Sequence, residues 1–327
     1  MIARTLAALL FAAYAGAAEL AEPKGAEALY ELGGQYVRGD GVPRDFQKAM
    51  KLFREAAEMK LPAAECAIAN MYEDGWGVPK DDVKAAEWYL KSAKDGHAEA
   101  ANNLGNMYRD GRGVKKDVVK AIFWLEKAAA AGADLALVNI GDLYYKGDGV
   151  KQDFDKARAL WEQAAAKGVP LAMSVMGGYY RDGVAQPPDD LKALEWFVKA
   201  SSAGDIQAIE RLGAAYYYGK GTKIDYALAL KHYMRAAKAG SAVAMQNVGT
   251  IYDEGRGVPV DSVEGYAWYV LSGEGGIGMA FSDMRRLRKT MTSKDIDKAI
   301  FRARDIEATL PYQGMEGLPE GAPRGRN

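Results

Sequence analysis

The stretch AANNLGNMYRDGRGVKKDVVKAIFWLEKAAAAG, residues 100–132, decides the fold. Ala100, Leu104, Gly105 and Tyr108 recur at the spacing of one helix face. Gly111-Arg112-Gly113-Val114 then interrupts the run with two residues suited to positive φ, so the chain reverses. Asp117 stands where an N-cap belongs and opens a second periodic run, which closes at Gly132, a natural left-handed C-cap. The segment reads as a helix, a tight turn and an antiparallel helix.

Working outward, the same unit recurs every 36 residues without a slip. One column is Tyr36, Tyr72, Tyr108, Tyr144, Tyr180, Tyr216 and Tyr252; a second runs from Gly39 to Gly255, a third from Asp45 to Asp261, a fourth from Ala28 to Ala244. Such a period is the signature of a solenoid. In the first unit Ala28, Leu32, Gly33 and Tyr36 form the packed stripe of one helix, and Ala49, Phe53, Ala56 and Ala57 that of the other. Closing glycines run from Gly96 to Gly276, and only Lys60 breaks that column. The fold class is therefore all-α: a solenoid of seven 36-residue helix pairs over residues 25–276, read as one structural domain because a single pair cannot bury enough surface alone. The fifth unit departs at Gly183-Val184-Ala185-Gln186, so its turn must take another shape.

Residues 277–310 lose the columns and read as a capping helix pair, Met279–Met291 and Ser293–Leu310, with Thr292 or Ser293 as the cap. Arg285, Arg286, Arg288 and Lys289 give the cap the charged outer face a terminal repeat requires. Residues 311–327 hold three Pro and four Gly with little to bury, and are expected to be a disordered tail. At the other end, residues 1–18 read MIARTLAALLFAAYAGAA: one Arg, an apolar run and small residues, the layout of a signal peptide cleaved near Ala17 or Ala18. Its apolar run is well short of the roughly 20 residues a spanning helix needs. A periplasmic or secreted mature chain without stable membrane insertion is expected.

Composition narrows the function. Forty-three Lys and Arg against 44 Asp and Glu leave a net charge of −1, too weak a field to gather nucleic acid. One Cys and two His cannot build a four-ligand zinc site. The Gly-x-Gly-Val turns are neither GxGxxG after a strand nor GxxxxGK[ST], and they recur as structural turns do. Asp residues 36 apart along a solenoid cannot pair across one bond, so they read as caps. His97 opens a helix; His232 stands in a column otherwise held by Leu and Trp and reads as a packed ring. Cys66 reads as a buried or groove-lining thiol, with an intermolecular disulfide left open. No HExxH or Ser-x-x-Lys occurs, so no catalytic, cofactor-binding or metal-ligating residue is assigned and a non-enzyme is expected.

The unit A-x-x-x-L-G-x-x-Y-x-x-G-x-G-V-x-x-D-x-x-K-A-x-x-W-x-x-K-A-A-x-x-G resembles the Sel-1-like repeat, a relative of the tetratricopeptide repeat, and residues 100–132 match it throughout. The resemblance implies a right-handed α/α superhelix acting as a scaffold for other proteins. Bacterial members with signal peptides are often periplasmic, in envelope assembly or sensor control, which implies an envelope scaffold binding a protein or peptide.

Seven units also act as an internal alignment: repeated columns maintain the solenoid, and columns that vary are free to be specific. On the tetratricopeptide analogy the first helices line a concave groove. The candidate partner-binding residues are Asn70, Asn102, Asn106, Arg109, Asp110, Tyr145, Arg181, Tyr217 and Tyr218. Amides and guanidinium groups can grip a peptide backbone or carboxylate, and Tyr suits interface anchoring. Asn and Tyr would equally suit a glycan, so a carbohydrate-binding envelope protein, for peptidoglycan or exopolysaccharide, is the second reading.

Overall fold

The computed structural model describes residues 25–310. Among them are sixteen helices and no strand. They are α1 (Ala26–Arg38), α2 (Phe46–Glu58), α3 (Pro62–Asp74), α4 (Asp82–Lys94), α5 (Ala98–Asp110), α6 (Val118–Ala130), α7 (Leu135–Lys146) and α8 (Phe154–Ala166). There follow α9 (Pro170–Asp182), α10 (Asp190–Ser202), α11 (Ile206–Tyr218), α12 (Tyr226–Lys238), α13 (Ala242–Glu254), α14 (Ser262–Glu274), α15 (Gly278–Leu287) and α16 (Ser293–Thr309). The helices gather into two compact units divided after Ala157, within α8. The signal segment 1–18 and the tail 311–327 lie outside the described residues.

Every repeat is built by the same devices. Each first helix ends on a left-handed glycine, Gly39 through Gly255, with φ between 64° and 79°. The carbonyl of the repeated Tyr accepts the N–H of the repeated Asp at 2.8–3.0 Å in all seven repeats, closing the turn. The Asp carboxylate then accepts the backbone N–H three residues on, again at 2.9–3.0 Å in all seven. One otherwise orphaned donor of each second helix is so satisfied. Between the helices, the small residue of the first receives a large side chain of the second: a Cβ on Gly33 would lie 2.6 Å from the Phe53 ring, and one on Gly213 would lie 2.6 Å from Tyr233.

The second glycine of the turn does a different job. A Cβ on Gly113 would fall 1.9 Å from the Asp82 carbonyl oxygen, and one on Gly221 would fall 2.2 Å from that of Asp190. Asp82 and Asp190 are the first residues of α4 and α10. The turns at Gly77, Gly113, Gly149, Gly221 and Gly257 therefore rest on the second helix of the repeat before them, where a side chain would clash. In three repeats the residue between the glycines reaches the same place. Trp76 stacks on Phe46 at 5.7 Å, Lys220 lies 3.8 Å from Asp190, and Arg256 donates to the Tyr226 hydroxyl at 2.9 Å.

Four details refine the sequence reading. Ala28 is exposed, whereas Ala64, Ala100, Ala136, Ala172, Ala208 and Ala244 are fully buried. Among the described residues no earlier helix covers α1, so the first stripe shifts to Leu29 and Gly33. Lys60 takes the left-handed conformation of the column it interrupts, with φ 61°. It is the one non-glycine with positive φ among the described residues, so Ala185 has ordinary backbone and the fifth turn does take another shape. The terminal pair is present, but α15 ends at Leu287 rather than Met291, and Thr292 is the cap, its hydroxyl accepting the Asp295 N–H at 3.2 Å.

The basic residues of that pair bind it to the last repeat. Arg286 reaches Asp253 and Asp283, Arg288 donates to the Tyr266 hydroxyl at 2.7 Å, and Arg302 forks onto Glu264 at 2.8 and 3.2 Å. No helix among the described residues is long and apolar enough to cross a membrane.

Candidate functional site

The nine candidate residues fall into two groups. Asn70, Asn102, Asn106, Arg109, Asp110 and Tyr145 lie on α3, α5 and α7; Arg181, Tyr217 and Tyr218 lie on α9 and α11.

In the first group, Tyr89 of α4 places its hydroxyl against Asn70 Oδ1 and 2.6 Å from Glu73 Oε2. Burial and the Glu73 charge push the Tyr89 pKa up, so it remains a donor. Arg112, from the next turn, reaches the other oxygen of Glu73. Asn106, one repeat beyond Asn70, is half-buried and its Oδ1 has no hydrogen-bond partner. Tyr145 is half-buried, its ring edge-on to Phe154 at 5.5 Å.

Asn102 corrects the expectation of an open face: it is only 9% exposed. Its Oδ1 accepts from Asn139 at 3.0 Å and its Nδ2 donates to Asn103 at 3.3 Å, so the amide joins α5 to α7. The column it belongs to holds Cys66, Val138 and Gln246, all buried as well. That column is a seam between first helices.

Arg109 and Asp110 engage each other through two hydrogen bonds of 2.7 and 2.9 Å. The fork raises the Arg109 pKa and lowers that of Asp110. Arg181 and Asp182 repeat the arrangement at 2.7 and 3.1 Å. A partner carboxylate would therefore compete with a carboxylate already in place.

Tyr217 and Tyr218 of the second group belong to an aromatic cluster. Tyr217 meets Tyr218 edge-on at 4.8 Å and Tyr226 at 5.3 Å. The Arg256 guanidinium lies over both Tyr217 and Tyr226, at 5.9 and 5.4 Å from their centroids. Glu254 accepts from Tyr217 at 2.9 Å and from Arg256 at 3.0 Å. Burial, with Glu254 beside it, pushes the Tyr217 pKa up to about 12. Tyr218 is 65% exposed and free to contact a partner. Tyr226, Glu254 and Arg256 escaped the sequence reading because they come from α12, α13 and the turn beyond. The middle residue of each Gly-x-Gly was the signal that could have found Arg256.

The histidines take structural places. His232 stacks on Tyr216 at 5.6 Å with rings 5° from parallel, and burial lowers its pKa. His97 caps α5, its Nδ1 accepting the Ala100 N–H at 3.3 Å. An open cleft of about 490 Å³ between α4, α5 and α6 is bordered by His97, Phe123, Trp124 and Lys127.

Comparison with known proteins matches this geometry. The model of the Sel1 repeat matches seven times, at residues 26–61, 62–97, 98–132, 134–169, 170–205, 206–241 and 242–277. A solved Sel1 repeat protein from Oxalobacter formigenes is 33% identical, with a TM-score of 0.66 over 75% of this chain and 99% of that one. A protective antigen of uropathogenic Escherichia coli displaying an SLR fold is 27% identical over 88% of this chain and 77% of that one, with a TM-score of 0.48. Comparison with curated proteins finds no match. The chain, with its seven matched repeats, belongs to the Sel1 repeat family, whose members are generally protein-interaction scaffolds and typically non-catalytic.

Proposed function

We propose that this chain is an exported scaffold of the bacterial envelope that binds a protein or extended peptide through the first helices of its repeats. One observation carries the reading. The columns repeated in every unit are occupied in caps, turns and close helix contacts, while the varying positions of α3, α5 and α11 hold the half-buried Asn70 and Asn106, the latter with a buried Oδ1 that has no hydrogen-bond partner, and Tyr218, which is 65% exposed. The amide N–H groups of an asparagine can donate to the C=O of an extended backbone, and an exposed tyrosine supplies contact area at small entropic cost. Export rests on residues 1–18.

The test is in-cell cross-linking and affinity capture with the exported wild type beside Asn70→Ala/Asn106→Ala and Tyr218→Ala variants, each checked for native helicity. One stoichiometric envelope protein captured by wild type and lost with a folded variant supports the reading. Equal capture by every form, or competition by soluble peptidoglycan fragments with no protein captured, overturns it. An intact Met1 on the purified protein would overturn export.

A further inference from the structure

Cys66 lies in the seam between first helices and His97 caps α5, but neither duty calls for a thiol, an imidazole and a carboxylate to meet, as Cys66, His97 and Glu99 do. Their ligand atoms, one each from thiol, imidazole and carboxylate, all lie within 4.8 Å of one another. Cys66 comes from the middle of α3, His97 is the residue before α5, and Glu99 is in the first turn of α5. The geometry points to a three-ligand site for a borderline-soft divalent cation of the zinc class, Cys66–His97–Glu99, at the junction of the second and third repeats. Counting only Cys and His excludes a four-ligand structural zinc site, but a carboxylate completes a set of three and leaves a fourth position open.

The donor set fits that class. Thiolate and imidazole together select zinc-like ions over magnesium or calcium, and a carboxylate lowers the charge of the bound ion. Metal–ligand bonds of about 2.0–2.3 Å place tetrahedral ligand atoms about 3.3–3.8 Å apart, so side-chain movements of about 1 Å assemble the site. Burial above all, and then the negative charges of Glu99 and Glu73, push the Cys66 thiol up to about 12. The same charges favour a cation there. Binding breaks the S–H bond heterolytically, the proton leaves to solvent, and the thiolate lone pair forms the metal–sulfur bond. Glu99 is exposed and His97 half-buried, so the cluster is open to solvent on their side.

His97 is also an unusual choice for its structural duty. The same position of the sixth and seventh repeats holds Asp205 and Ser241, which accept the helix N–H at 2.6 and 3.0 Å, against 3.3 Å for His97. Serine would cap α5 better than histidine does. Ligation through either ring nitrogen releases this long bond: at Nδ1 the metal takes the accepting lone pair, and at Nε2 the ring proton moves to Nδ1.

Cobalt(II), added to the metal-free full-length protein and followed by absorption spectroscopy, tests the site, with Zn²⁺ as competitor. The expected result is one equivalent bound with a thiolate-to-cobalt charge-transfer band, bleached by Zn²⁺. Cys66→Ser abolishes the band. His97→Ser, which keeps a cap of the Ser241 kind, and Glu99→Gln each weaken binding by about 10-fold or more. In amide NMR spectra the Ala100 N–H shifts as Zn²⁺ is added to wild type and not to His97→Ser. Absence of the band at stoichiometric Co²⁺, its persistence in Cys66→Ser, or affinities unchanged in both His97→Ser and Glu99→Gln would each overturn the site. The last two substitutions lie on or near the surface and keep the test decisive if Cys66→Ser fails to fold.

Discussion

A Cβ placed on Gly113 would lie 1.9 Å from the carbonyl oxygen of Asp82, whereas one placed on Gly41, the same position of the first repeat, would meet nothing within 4 Å. Both glycines have positive φ, 64° and 73°. Gly41→Ala therefore carries only the left-handed backbone penalty, about 1–2 kcal/mol. Gly113→Ala adds a clash with main-chain atoms that no rotamer relieves, and about 3 kcal/mol or more is expected. Urea unfolding of the two variants measures the difference; equal losses would mean that the turn does not rest on the helix before it.

Glu65 is fully buried in a column that elsewhere holds Leu29, Ala101, Leu137, Met173, Ile209 and Met245, with Lys91 Nζ 2.9 Å from its Oε1. Replacing a buried ion-pair member by an apolar side chain is often neutral or stabilising, while removing the partner leaves a buried charge unpaired. Glu65→Met is expected to be neutral or to gain about 1 kcal/mol. Lys91→Met should lose about 1–3 kcal/mol, the upper range being reduced because half of Lys91 is exposed. Thermal denaturation of both variants and the double mutant checks the pair.

Acid should weaken the fold in two windows. Burial lowers the pKa of His97 and His232, so the folded state resists their protonation, and stability falls as pH drops below the unfolded value of about 6.5. Hydrogen bonds within the caps depress Asp81, through the Lys84 side chain first, and Asp117 and Asp189 through the backbone N–H groups of Lys120 and Lys192. Their contribution is present above the unfolded value of about 3.9 and is lost as pH falls through the folded values. His232→Phe should flatten the upper limb only, and the Asp81→Asn/Asp117→Asn/Asp189→Asn variant the lower limb only, in unfolding free energy measured against pH.

Arg302 and Arg286 tie the terminal helices to Glu264 and Asp253 of the last repeat. Arg286→Ala/Arg302→Ala should raise amide hydrogen exchange in α15 and α16 while leaving α9 to α12 unchanged. Uniform acceleration through all of these helices would show that the pair is not a separable cap.

Lys60 is expected to improve the protein when lost. Its left-handed backbone costs about 1 kcal/mol that glycine avoids, partly offset by the greater freedom of glycine in the unfolded chain. Lys60→Gly should stabilise by a few tenths of a kcal/mol, read from the denaturation midpoint.

Local geometry was legible in the sequence because each repeat restates it. The columns of Tyr, Gly and Asp carry turn and cap information within about ten residues, and seven copies remove chance. What joins different repeats was not legible. Asn102 reads as a variable, polar first-helix residue, and only the structure buries it and places Asn139 3.0 Å from it. Arg109 reads as a free guanidinium until its fork with Asp110 is seen. Tyr217 gave no hint of Arg256, 39 residues away in the chain. Side-chain partners across repeats obey no spacing rule, so a column shows that a position varies without showing what it varies against.

The contacts between each turn and the helix before it bear on how such a chain can change. A period of 36 residues invites exchange of whole units, since any such exchange preserves every Tyr, Gly and Asp column. Yet Trp76 is matched to Phe46, Lys220 to Asp190 and Arg256 to Tyr226. A shuffled array would set tryptophan against a carboxylate, or lysine against phenylalanine, with no periodic feature disturbed. The order of the repeats is thus written in their joints, and a duplication must acquire a new matched pair before it is as stable as its parents.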